Sequence, residues 1–317
     1  MRYRVGLRVL DTGSHKLVRN STHWADIQGR LDELGQQYPE WQSSLQLWTA
    51  VLRSLGDPVW EAAVPQLCLD RPVAAPVLTG VTCLVDVRRA GRWMRSLLKL
   101  ASKNAVPGSA SLLRVDCRPE DALALLEAAL CQEHTRLMAL AEALGAPPRA
   151  LAALAHLAVM PLLHACGRRL TPQINHPWSY GYCPICGAWP TLAEVCGLEH
   201  ARTLRCARCG TAWRTTWLRC PYCGEMDHQR LGVLLPEQHD APGQIDICRT
   251  CQGYLKTHTT LQTLPSYAVA LHDLATIALD MAALERGYTR PEYPGYALAS
   301  RLVASPWRQR AILGWHI

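Results

Sequence analysis

The sequence predicts an α+β multidomain chain: a helical N-terminal domain, two tandem rubredoxin-like or zinc-ribbon modules, and a closing C-terminal helix. Three observations carry this. Apolar residues recur at spacings of three and four through the first half of the chain. Four Cys-x-x-Cys pairs then follow in close succession, Cys183/Cys186, Cys206/Cys209, Cys220/Cys223 and Cys248/Cys251. Between those pairs the pattern changes to short alternating stretches, as strands require. The expected boundaries are 1–171 for the helical domain, 172–218 and 219–264 for the two ribbons, and 265–317 for the closing helix and tail.

Residues 1–20 are basic and without pattern, an extended arm. Trp24, Ile27, Leu31, Leu34 and Tyr38 then share one helix face, and Leu45, Trp48, Leu52 and Leu55 another. Gly56-Asp57-Pro58 stops the second helix. Val81 to Val87 is a short apolar run that fits either a strand or a buried helix, and Trp93, Leu97 and Leu100 mark a further helix. The clearest helix opens at Pro119-Glu120-Asp121, with proline at its first position and acids in its first turn, and runs to Gly145. Ala150 to Gly167 carries no formal charge; rich in alanine and containing Pro161, it reads as a buried core helix rather than a membrane span. In the ribbons, Trp213, Thr215 and Trp217 alternate in strand fashion, and Gly232 to Leu235 forms another strand. A last helix from Pro265 to about Arg286 places Leu271, Leu274, Ala278, Met281 and Leu284 on one stripe.

The cysteine pairs carry the chemistry. Two thiolates three residues apart bite one metal ion, and two such turns complete a tetrahedral four-sulfur shell. Pairing in order gives C-x₂-C-x₁₉-C-x₂-C and C-x₂-C-x₂₄-C-x₂-C, spacings that suit two mononuclear sites. Gly187, Gly210 and Gly224 directly follow the second cysteine of three pairs. Glycine there lets the chain turn beneath the ion at positive φ, with amides aimed at sulfur. The fourth pair departs, with Gln252 before Gly253. Arg205, Arg208, Arg219 and Arg249 adjoin the pairs and lower the cost of holding a tetrathiolate charge. Sulfur-only shells take iron or zinc alike. Disulfides, a redox dithiol and a polynuclear iron–sulfur cluster fit the spacing less well.

The chain has 317 residues, a formal charge of +7 and a mean hydropathy near zero, which describes a folded chain with room for more than one core. From Thr171 to Thr260 there are eight Lys/Arg and seven Asp/Glu, so the ribbon region is near neutral and argues against a nucleic-acid-binding ribbon. The N-terminus lacks the apolar core of a secretory signal, so cytoplasmic residence and reduced thiols are expected. Cys68, Cys83, Cys117, Cys131, Cys166 and Cys196 lack ligand spacing and read as inert thiols, with Cys196 the strongest exception. Asp273 and Asp280, seven apart, share a helix face, read first as solvated and then as a partner contact. No nucleophilic triad, phosphate loop or dinucleotide fingerprint is visible.

Over residues 176–290 the chain resembles the FdhE-type accessory proteins of formate dehydrogenase. The resemblance rests on C-P-I-C-G-A-W-P, R-T-L-R-C-A-R-C-G-T-A-W-R, L-R-C-P-Y-C-G, C-R-T-C-Q-G-Y-L-K, D-L-A-T-I-A-L-D and E-R-G-Y-T-R. It implies a cytoplasmic, non-catalytic maturation factor that binds the catalytic subunit of a molybdenum- or tungsten-dependent formate dehydrogenase. It also implies that Cys183, Cys186, Cys206, Cys209, Cys220, Cys223, Cys248 and Cys251 ligate two ions, iron favoured and zinc possible. Nucleic acid and membrane insertion are not expected. The rival functions are an iron-dependent electron carrier and a zinc-ribbon nucleic-acid binder.

Overall fold

The computed structural model describes residues 20–66, 72–103, 110–174, 177–235 and 243–305. The expected N-terminal arm and Cys68 lie outside them. The helical half contains α1 (Asn20–Gln37), α2 (Gln42–Ser54), the short α3 (Pro58–Glu61), α4 (Val87–Lys103), α5 (Pro119–Cys131), α6 (His134–Ala143) and α7 (Pro148–Leu170). Asp57 caps α3 by accepting from the Val59 amide at 2.9 Å, as the Gly-Asp-Pro stop requires. The uncharged helix α7 is long and apolar enough to cross a membrane, but 78% of its most apolar window is buried against α2 to α6.

The ambiguous run near Val81 is a strand, β1 (Thr82–Val85), and its partner comes from the far end of the chain. It pairs in parallel with β8 (Arg301–Ala304). The helix expected from Pro119 to Gly145 is two helices. Gln132 takes a left-handed φ of 59° and closes α5, with its amide on the Ala128 and Ala129 carbonyls. The break leaves the end of α5 facing the first cysteine knuckle, where Gln132 Nε2 donates to the Cys186 carbonyl at 3.4 Å.

Beyond α7 the chain forms one six-stranded sheet. Its strands are β2 (Leu192–Cys196), β3 (Ala201–Arg205), β4 (Ala212–Arg214), β5 (Leu231–Leu234), β6 (Gln244–Cys248) and β7 (Gly253–Thr260), in the order β4-β3-β2-β7-β6-β5. Each ribbon contributes three antiparallel strands. The parallel pairing of β2 with β7, Leu192 opposite Lys256 through Cys196 opposite Thr260, fuses them into one sheet. The expected Trp213–Trp217 alternation ends early. Trp213 is buried in β4, whereas Trp217 has left the sheet and is half exposed, its indole donating to the His200 carbonyl at 3.0 Å.

The closing helical segment is likewise broken, into α8 (Ala268–Ala275) and α9 (Ile277–Glu285). At the break, Thr276 turns its hydroxyl onto the His272 carbonyl at 2.8 Å. The expected single stripe therefore fails beyond Thr276. Met281 and Leu284 are exposed, and Ala283 and Leu279 pack on Ile245, Ile247 and Tyr254 instead.

Asp273 and Asp280 do not form a solvated face. Lys256 Nζ lies 2.7 Å from a carboxylate oxygen of each, and Arg290 Nη2 lies 2.9 Å from Asp273 and 2.8 Å from Asp280. The Tyr254 hydroxyl donates to Asp280 at 2.8 Å. Burial alone would raise the Asp273 carboxyl, but Arg290 and Lys256 together hold it below its usual value. Lys256 is 3% exposed, so these carboxylates are its necessary counter-charge and clamp α8 and α9 to β7.

Candidate metal centres

Three of the four knuckles close in the same way. The amide of the following glycine donates to the carbonyl of the first cysteine: Gly187 to Cys183 at 3.0 Å, Gly210 to Cys206 at 2.9 Å, Gly224 to Cys220 at 3.0 Å. These glycines have φ of 69°, 75° and 79°, the left-handed geometry expected from the sequence. In the fourth knuckle Gln252 takes that conformation, with φ of 54°, and its carbonyl accepts the Thr289 amide at 2.8 Å. A side chain is tolerated there because its amide group turns back onto the Arg249 carbonyl.

The fold gathers the cysteines into two sets. Cys183, Cys186, Cys206 and Cys209 form one, and Cys220, Cys223, Cys248 and Cys251 the other, with all sulfurs of a set within 4.8 Å of one another. In the first set, Cys183 and Cys209 sulfurs lie 3.4 Å apart and Cys186 and Cys206 sulfurs 3.6 Å apart. In the second, both corresponding pairs, Cys220/Cys251 and Cys223/Cys248, are 3.7 Å apart. A tetrahedral ion with bonds of about 2.3 Å sets its sulfurs about 3.8 Å apart, so both sets fit a thiophilic divalent ion.

The electrostatics point the same way. Burial drives the Cys183 and Cys209 thiols well up, while hydrogen bonds from Cys183, Cys206 and Cys209, with Arg208 nearby, hold Cys186 well down. Such a set holds four thiolates only with a cation among them. Of the four arginines expected to ease that charge, Arg208 fits best. It lies near Cys186 and bridges to α5 by donating to the Ala129 carbonyl at 2.6 Å. Arg205 instead forms a buried ion pair with Glu194 and donates to the Leu264 carbonyl at 2.7 Å. Arg219 and Arg249 donate to the Ser179 and Gln229 carbonyls.

The first centre is enclosed by the helical half. A Cβ at Gly167 of α7 would lie 2.2 Å from the Cys209 carbonyl oxygen, so helix and knuckle meet backbone to backbone. Val77 and Leu78 amides donate to the Pro184 and Ile185 carbonyls at 2.7 and 3.1 Å. His164, one turn before Gly167, places Nε2 3.2 Å from the Ala207 carbonyl inside the second knuckle. Burial pushes its pKa down to about 4, so it is a neutral donor there. The sequence hid His164 within a core helix; the only signal was a histidine in an uncharged, alanine-rich run. The second centre is open by comparison. Cys223 and Cys251 are exposed, and an apolar groove of about 170 Å³ beside it is lined by Trp217, Leu218, Leu231, Val233 and Leu255. Cys83, Cys117, Cys131 and Cys166 are buried and belong to neither set, and Cys196 ends β2 with its sulfur 3.6 Å from the Leu261 carbonyl.

No protein-family model matches the chain. Curated relatives match about a third of the chain. An FdhE homologue of Aquifex aeolicus is 31% identical over 124 residues, 38% of this chain and 43% of its own. An FdhE homologue of Pseudomonas aeruginosa is 34% identical over 116 residues, 34% of this chain and 37% of its own. Protein FdhE of Escherichia coli O127:H6 is 30% identical over 111 residues, 34% of this chain and 35% of its own. The chain thus matches less than half the length of these relatives. The crystal structure of FdhE from Pseudomonas aeruginosa superposes with a TM-score of 0.56 over 87% of this chain and 95% of that one, at 22% identity, a likeness of fold. Part of the chain is thus similar in sequence to FdhE proteins, and its fold is like that of the Pseudomonas aeruginosa FdhE crystal structure.

Proposed function

We propose that this chain is a non-catalytic accessory factor for a formate dehydrogenase, acting by binding the catalytic subunit of a molybdenum- or tungsten-dependent enzyme. The observation that supports it best is the second ribbon. There a four-cysteine centre adjoins exposed Trp217, Leu218, Met226, Val233 and Leu235, within residues 176–290, over which the sequence resembles the FdhE-type accessory proteins. Exposed aromatic and aliphatic side chains on a pre-organised frame suit a protein partner, because little ordering entropy is lost on docking. Each centre holds one ion through its four cysteines, iron favoured over zinc, and the factor works in the cytoplasm, off nucleic acid and outside the membrane.

Co-purification tests this reading. The tagged chain is captured from cells expressing formate dehydrogenase, and the bait is assayed for metal. The catalytic subunit and two ions per chain are expected. Trp217→Ala with Leu218→Ala should keep the ions and the fold yet capture less subunit. If the parent chain captures none, the accessory reading fails.

A second reading, an iron-dependent electron carrier, is favoured by the exposure of Cys223 and Cys251, which would bring the second ion close to a redox partner. Reversible reduction of the iron-loaded chain, without capture of the subunit, would select it.

A further inference from the structure

We infer that the two centres are thermodynamically coupled, so that an ion in the exposed second centre secures the ion in the buried first one. The inference rests on the reading that both sets hold ions and goes beyond it.

The connection is a direct contact between the two knuckle regions. Gly181 lies two residues before Cys183. A Cβ placed on it would sit 1.7 Å from the Pro221 carbonyl oxygen and 2.6 Å from the Pro221 carbonyl carbon. The lead-in to the first centre therefore rests on the peptide inside the knuckle Cys220-Pro221-Tyr222-Cys223. No side chain fits between them. Arg219, just before that knuckle, donates to the Ser179 carbonyl at 3.2 Å and fastens the same two segments.

Aromatic rings make a second bridge. Tyr222, between the two cysteines of its knuckle, meets the Trp189 ring edge to face, with centroids 5.4 Å apart and planes at 87°. Trp189 in turn meets Tyr182, the residue before Cys183, at 6.2 Å. Trp189 also follows the first knuckle closely, since the Cys183 amide donates to the Ala188 carbonyl at 2.8 Å. Tyr222 is seated from the far side by its hydroxyl on the Tyr254 carbonyl at 2.9 Å. A Cβ on Gly253 would lie 2.7 Å from the Tyr222 ring and 3.0 Å from the Cys251 sulfur.

The physical consequence follows from what holds residues 220–224 in place. A knuckle has too few apolar contacts to keep its shape alone, and the ion supplies most of that free energy. When the second ion leaves, Pro221 and Tyr222 lose their fixed position. Gly181, Trp189 and Tyr182 then lose the surface they pack against, and Cys183 loses its support. Coupling is reciprocal, so filling the first centre also favours filling the second. The asymmetry in exposure gives it direction in practice: the solvent-facing centre responds to a chelator first.

The test uses the full chain loaded with cobalt(II), whose thiolate absorption reports four-sulfur coordination. In the parent, chelator should remove the exposed ion first, and the buried ion only after a lag. In Cys223→Ser with Cys251→Ser, which retains one ion per chain, the remaining ion should leave about 5- to 150-fold faster, the range of ordinary coupling free energies. Trp189→Leu should retain both ions but weaken the link, so that emptying the second centre accelerates loss from the first less than in the parent. Should the double serine variant not fold, the lag in the parent and its loss in Trp189→Leu decide the matter. Two ions lost from the parent at independent rates, without a lag, would overturn the coupling and leave the metal reading intact. A parent chain that binds no cobalt through sulfur would overturn both.

Discussion

The first centre has all four cysteines buried, whereas in the second Cys223 and Cys251 reach solvent. The knuckles are nearly identical in sequence, so the difference lies in what packs around them. The first centre belongs to the same hydrophobic core as α1 to α7, with Cys183, Cys186, Cys206 and Cys209 members of one buried cluster with Leu162, Leu163 and Leu204. The second is backed by a separate small cluster of Ile245, Ile247, Tyr254 and Ala283. Two four-cysteine sets of like composition thus lie in unlike settings, one within the main core and the other against a small cluster at the far side of the sheet.

The largest expected effect separates these settings directly. Structural metal sites contribute on the order of 10 kcal/mol in small metal domains, comparable with the whole stability of an ordinary fold. Cys183→Ser with Cys206→Ser should therefore prevent accumulation of folded chain, as read by circular dichroism and by protease resistance of the helical half. Cys220→Ser with Cys223→Ser should leave α1 to α7 protected and expose only the second ribbon. Equal damage from both pairs would mean that the two clusters fold as one unit.

Next in size is the charge clamp on the second ribbon. Asp273→Ala with Asp280→Ala strands Lys256 and Arg290, and breaking a buried pair from one side costs about 3–5 kcal/mol. Urea unfolding should show that loss, and hydrogen exchange should place it in β6, β7, α8 and α9. A variant as stable as the parent would show that these aspartates are not the counter-charge of Lys256.

A smaller effect is set by pH. Burial pushes His156 and His272 down to about 4. Unfolded histidines titrate near 6.5, so between about pH 6.5 and 4 the unfolded chain binds more protons. The contribution of these neutral rings is complete above that window and is lost as pH falls through it. Urea midpoints at pH 7.5 and 5.0 should differ in that direction, and His272→Gln should reduce the difference if the ring is responsible. Because acid also releases metal from thiolates, the comparison is made with metal content measured at both values.

The smallest effect is expected at the groove beside the second centre. Trp217→Ala should cost under about 1 kcal/mol of stability, since half-exposed side chains away from caps and cores contribute little. A larger loss would make Trp217 part of the ribbon core rather than a surface feature.

Much of the site was legible because its rules are local. Cys-x-x-Cys-Gly turns need only five residues, and their glycines took the positive φ that the turn demands. The helices with strong periodicity, α1, α2 and α4, were legible for the same reason, and α7 was legible as an uncharged, alanine-rich run. What was misread depended on partners far along the chain. The long helices expected after Pro119 and after Pro265 were broken at Gln132 and Thr276, where a left-handed residue and a threonine hydroxyl turned the chain toward contacts that periodicity does not encode. Asp273 and Asp280 looked like a solvated pair because Lys256 and Arg290 are brought to them only by the sheet and the segment beyond α9.

By itself, then, the sequence determined the two four-cysteine sets, their knuckle geometry and the change from helix to ribbon, because each follows from residue spacing and backbone preference within a few residues. The tertiary structure alone decided that the ribbons join through β2 and β7, that one centre is sealed while the other faces water, and that Gly181 rests on Pro221. Those outcomes depend on which surfaces meet across tens to hundreds of residues, and packing of that range is fixed by the sum of many weak contacts rather than by any one motif.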